Sequence, residues 1–200
     1  MKTPREIGTF ELMSVPVDDS ALAVKSPTQG HESITWRVAL FMFIASSTLW
    51  MGGSHLRAMI GNDLLKFGTL EFEEYIAPDA EREIFRLMSF ASLALIASYS
   101  VALASSIVLL VKCPYKLREH GWLMMSAILF YVFVPVEAFT IYLDSKMVYG
   151  EFFTTADNVT FRELFLSRIG ALAGLPVIAT LCYYTIIGLA IFQPLKRTPA

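Results

Sequence analysis

Residues 87–111 read LMSFASLALIASYSVALASSIVLLV, 25 positions without one Asp, Glu, Lys or Arg, closed on either side by Arg86 and Lys112. A hydrocarbon core about 30 Å thick is crossed by roughly 20 apolar residues rising 1.5 Å each. This stretch is therefore long enough to span a bilayer. Residues 38–56 and 169–195 are likewise free of charged side chains other than histidine, and 120–143 is interrupted only by Glu137. Inside lipid every backbone amide must bond within its own segment, which leaves the helix as the form available to a single apolar span. The expected fold is an all-α membrane protein with four transmembrane helices in a bundle, at about 36–54, 87–111, 122–143 and 168–193.

Composition agrees. The hydrophobic fraction is 55%, charged residues are 17% and the mean hydropathy is +0.55, against about 45–50% apolar and about 25% charged in soluble domains. Too little of the chain lies outside the spans to build a separate soluble core. Residues 34–195 are expected to form one membrane domain. Residues 1–33, with Pro4, Pro16, Pro27 and Gly30 among scattered charges, are expected to be a flexible cytoplasmic arm, and 196–200 a short cytoplasmic tail.

Orientation rests on charge. With four spans, nine Lys/Arg fall on the side of the termini and seven on the other. The discriminating stretch is 112–121, where Lys112, Lys116 and Arg118 crowd a short loop, and short loops carry the positive-inside signal. Both termini are thus expected in the cytoplasm and the chain in the cytoplasmic membrane. On the opposite side a small outer cap is expected from two loops. In the first, 70–76 partly alternates like a strand, and Pro78-Asp79 starts the second helix. In the second, Thr160-Phe161-Arg162-Glu163 matches a capping box, placing the start of the fourth helix outside the bilayer. Pro176 is expected to kink that helix.

Glu137 is the residue with the most chemistry in it. It follows Pro135, which cannot donate its backbone hydrogen to the Tyr131 carbonyl. Glu137, Thr140 and Asp144, spaced i, i+3, i+7, lie on one helix face. Exposing a carboxylate to lipid costs several kcal/mol, so this face is expected to turn inward. Two roles fit: a proton or cation site, or an ion pair with Arg57, Arg86 or Arg168, which lie near the same ends of their helices. The ion pair is the favoured expectation.

Small residues mark two further surfaces. Ala94, Ser98, Ala102 and Ser106 recur every four positions on the second helix, and Gly170 and Gly174 form a GxxxG before Pro176. In lipid such residues allow close helix approach, so both are expected to be helix-packing surfaces. The other serines of the second helix are expected to bond to carbonyls one turn back.

Several chemistries lack their residues. Cys113 and Cys182 make no disulfide framework, and His31, His55 and His120 stand near helix ends without a metal-ligand spacing. No Walker loop, GxSxG or dinucleotide fingerprint occurs. No catalytic residue, metal, cofactor or nucleic-acid partner is therefore expected. Asn158-Val159-Thr160 matches the glycosylation triplet. The functional expectation is a non-enzymatic accessory or scaffold subunit whose partners are the bilayer and other membrane subunits, or further copies of itself. The alternatives are a proton- or ion-coupled carrier using Glu137 and, behind it, a lipid-active membrane enzyme.

Overall fold

The computed structural model describes residues 34–115, 117, 120–154, 156–170 and 174–194; the arm at 1–33 and the tail at 196–200 lie outside them. Among the described residues there are six helices and no strand: α1 (Ile34–Asn62), α2 (Pro78–Val111), α3 (Gly121–Val132), α4 (Val134–Phe152), α5 (Asn158–Ile169) and α6 (Leu175–Phe192). Four segments are long and apolar enough to cross a membrane: α1, α2, Gly121–Phe152 (α3 continued by α4) and α6. The chain is an integral membrane protein with an all-helical fold.

Two helices outrun the apolar stretches that announce them. α1 continues to Asn62, and α2 adds the polar turns from Pro78 to Arg86 before its apolar run begins. At 34 residues α2 is about 50 Å long, well beyond a hydrocarbon core of about 30 Å. The third span divides at Phe133, where the helix is interrupted and Pro135 takes an opening position of α4. The missing proline donor is answered locally, since the Phe133 N–H turns to the Tyr131 carbonyl.

The fourth span differs from its sequence reading. Rather than one helix entering near residue 168 and kinking at Pro176, there are two. α5 ends at Gly170, and Gly174, in the left-handed region at φ 87°, precedes α6, with Pro176 in its opening turn. Glycine and proline act here as stop and start signals, the placement each favours. The cap of α5 is also three residues earlier than the Thr160–Glu163 pattern suggested. Asp157 accepts hydrogen bonds from the Thr160 backbone N–H (2.9 Å) and hydroxyl (2.6 Å), which holds the Asp157 carboxyl below the usual carboxylate range.

Packing is organised as two clusters. The first joins Trp50 of α1, Leu95 and Tyr99 of α2, Phe130 of α3, and Ala179 and Tyr183 of α6. Its rings touch: Trp50 lies 4.9 Å from Tyr183 and 5.1 Å from Tyr99, and Phe130 lies 5.8 Å from Tyr183. Each such pair adds about 0.5–1.5 kcal/mol beyond burial. The second cluster joins Leu64, Phe85, Met88, Met147, Phe161 and Phe165, with Phe72 and Ile76 against it. It ties the α1–α2 connection and α5 to the ends of α2 and α4. The alternation at 70–76 yields a single antiparallel bridge, Leu65 to Phe72, rather than a strand.

α1 approaches α5 and α2 closely at two glycines that sequence reading passed over, Gly61 and Gly53. A Cβ on Gly61 would stand 2.8 Å from the Phe165 ring, and one on Gly53 would stand 2.8 Å from Leu95. Of the expected stripe on α2, Ala102 and Ser106 are buried while Ala94 is exposed. The Ser106 hydroxyl meets Tyr131 of α3 at 2.8 Å. Ser89, Ser92, Ser98 and Ser100 each bond the carbonyl four residues back, so these hydroxyls are used within the helix.

Candidate functional site

α4 is laid with one face inward, and the face is the one its spacing defines. Glu137, Thr140 and Asp144 are all buried, at 7%, 3% and 3% exposure. The arginines gather at Asp144. Arg57 of α1 donates through Nη1 to Asp144 Oδ1, and Arg168 of α5 donates through Nε to the same oxygen at 2.7 Å. The second Arg57 Nη reaches Met147 Sδ at 3.2 Å. Three helices, α1, α4 and α5, are thus tied by one carboxylate.

Arg86 is elsewhere. It is exposed and meets Glu83 on its own helix at 3.5 Å. The two glycines of the GxxxG also serve a different end. Gly170 caps α5 and Gly174 precedes α6, and an added Cβ on Gly174 would touch nothing within 4 Å. Within the described residues they stand at the end of α5 and the start of α6. The Asn158 amide donates to the Pro78 carbonyl at 3.0 Å, so the nitrogen of the glycosylation triplet is occupied within the fold.

Glu137 stands apart from these pairs. Among the described residues it makes no ion pair, and its carboxylate meets the Thr140 hydroxyl at 3.3 Å. That hydroxyl is closer to the Glu137 backbone carbonyl, at 2.9 Å, and a single O–H serves one acceptor well. Glu137, Thr140 and Arg168 open onto a cleft of about 370 Å³ between α1 and α6. Trp50, Ser54 and His55 supply one wall, and Thr180, Tyr183 and Tyr184 the other. His55 bonds the Met51 carbonyl through Nδ1 at 2.7 Å and faces the Tyr184 hydroxyl through Nε2 at 3.4 Å.

Two guanidiniums on Asp144 leave one positive charge at that carboxylate, and Glu137, about 10 Å along the same helix, can offset it when ionised. The Tyr99 and Tyr183 hydroxyls are buried beside one another, yet neither closes a hydrogen bond of standard geometry among the described residues.

Beyond the apolar spans, Glu81 of α2 is buried and holds Arg162 of α5 through both carboxylate oxygens. Arg82 pairs with Glu151 at 2.7 Å and stacks on Phe161 at 4.6 Å. The chain matches no protein-family model, no curated protein and no solved structure at a significant level.

Proposed function

We propose that the chain is a non-enzymatic accessory or scaffold subunit of the cytoplasmic membrane that packs its outer helix faces against partner membrane helices. The observation behind this is the economy of α6. Among the described residues of that span only Ala179 and Tyr183 are buried, while Val177, Leu181, Ile187 and Ile191 are exposed. The ionised groups of Arg57, Asp144 and Arg168 are bound to one another, as befits a fastening between helices. In this reading the four spans form a bundle, the Phe85–Phe161 cluster is its outer cap, and both termini are cytoplasmic, in keeping with the basic loop at 112–121.

The test is site-directed photo-crosslinking in the native membrane. Crosslinkers at Leu181, Ile187 and Ile191 of α6 should capture one defined membrane protein, or a second copy of this chain, with buried Ala179 of α6 giving less. Adducts to lipid alone from every position would overturn the assignment. Thiol labelling of single cysteines at residues 112 and 153 from either side of sealed vesicles reports the topology.

A second reading is favoured by one specific observation, the unpaired Glu137 on the cleft. It is a proton- or ion-coupled carrier. Ion flux in proteoliposomes that requires the carboxylate, and disappears in a folded Glu137→Gln variant, would select it.

A further inference from the structure

We propose that the cleft between α1 and α6 binds a zwitterionic head bearing both an ammonium and a phosphate. The ammonium is placed against Glu137 and the phosphate against Arg168.

The cleft has the size of a small-molecule site, about 370 Å³, within the range such sites occupy. Its polar groups are few and convergent. Glu137 is 93% buried and lacks a cationic partner among the described residues. A buried carboxylate without one is costly, and a ligand ammonium removes the deficit. Trp50 and Tyr183, 8% and 4% exposed, stand on the same cleft with rings 4.9 Å apart. An aromatic surface beside a carboxylate is the arrangement that holds an ammonium by charge and by cation–π attraction.

A ligand carrying only a cation would disturb the site. Arg168 lines the same cleft, its Nε committed to Asp144, and with Glu137 ionised the four groups sum to zero. A ligand of zero net charge with separated poles keeps that balance. Its phosphate meets the Nη side of Arg168 and the opening turn of α6, where Pro176 and Val177 line the cleft; a helix N-terminus adds favourable potential for an anion.

Position identifies a lipid head as one source. Thr180, on the cleft, lies about 8 Å from the start of α6, short of the helix midpoint. The mouth lies between α1 and α6, and exposed Leu181 and Tyr184 carry its wall onto the outer surface. A head with tails attached enters sideways from the membrane, whereas a free phospho-amine enters from water.

The test is native mass spectrometry of the full chain in detergent with equimolar phosphatidylethanolamine, phosphatidylcholine and phosphatidylglycerol, repeated with millimolar phosphorylethanolamine as competitor. Retention of a zwitterionic lipid over phosphatidylglycerol by about tenfold is expected. Displacement by the soluble head would assign the free phospho-amine as source, and its failure would assign the lipid. Glu137→Gln should abolish the preference. Should that variant unfold, Arg168→Gln, which leaves Asp144 its Arg57 partner, removes the phosphate contact and should weaken retention severalfold. Equal retention of all three lipids, or a preference unchanged in both variants, overturns the proposal.

Discussion

Arg57 and Asp144, 87 positions apart in the chain, form an ion pair in which both side chains are under 5% exposed. Arg168 completes the arrangement from α5. The pair explains how a first helix with few charged residues is fixed against a fourth helix it would otherwise meet only through apolar contacts. It also gives the polar face of α4 a structural end, at Asp144, and an unpaired end, at Glu137.

Replacing Asp144 with Asn should be severe. Two guanidiniums would lose their counter-ion, one of them buried, and breaking such a pair costs about 3–5 kcal/mol. Thermal unfolding in detergent checks this. Arg57→Met should cost less, because Asp144 keeps Arg168; equal losses for the two variants would contradict the shared-carboxylate arrangement.

Gly61→Ala should destabilise by about 1–3 kcal/mol, the usual cost of overpacking. The new methyl meets the ring of buried Phe165 at 2.8 Å. Gly53→Ala should be milder, since a leucine methyl can turn aside more easily than a packed ring. Gly52→Ala, with open space around it, should leave the unfolding midpoint unchanged.

Arg162→Ala should loosen α5 from α2. Glu81 is 2% exposed and would be left without the guanidinium that both its oxygens accept from. Hydrogen bonds to a charged group contribute about 1.5–3 kcal/mol, and the 43% exposure of Arg162 with the remaining Asn158 amide at 3.5 Å puts the loss at the lower end of that range. Arg162→Lys should recover part of the loss, because an ammonium cannot match the two-pronged contact. Hydrogen exchange at the amides of α5 is the direct measurement.

Acidification should fray α5 from its start. The Thr160 hydroxyl and backbone N–H hold the Asp157 carboxyl low, so its contribution is present above the unfolded carboxylate value and is lost as pH falls through the folded one. Exchange protection of the first turn of α5 should decline below the ordinary carboxylate range in the native chain. In Asp157→Ala the same turn should be less protected at neutral pH and show little further change on acidification.

The four spans were legible because lipid demands long uncharged runs, and 87–111 could be read in no other way. The inward face of α4 was legible too, since a spacing of i, i+3, i+7 fixes Glu137, Thr140 and Asp144 to one side whatever surrounds them. The partner of the arginines was not. Arg57, Arg86 and Arg168 look alike in sequence, and only the approach of α1 and α5 to α4 decides that two of them reach Asp144 and none pairs with Glu137. At 170–174 glycine can serve both close packing and helix termination, and Gly170 and Gly174 adjoin helix ends. Pro176 two positions later, at the opening of α6, was the signal for the second. Gly53 and Gly61 carry no motif, and their part emerges only from the ring and leucine that α1 lies against.

The bond between α1 and α4 also sets a timetable for biosynthesis. Ribosomes extend chains at about 5–20 residues per second, so Arg57 emerges roughly 5–20 s before its counter-ion. Through that interval the nascent first span carries an uncompensated guanidinium close to its trailing end, where a long side chain can stay in contact with water. The helix gains its final seat only when the later segments arrive to claim that charge.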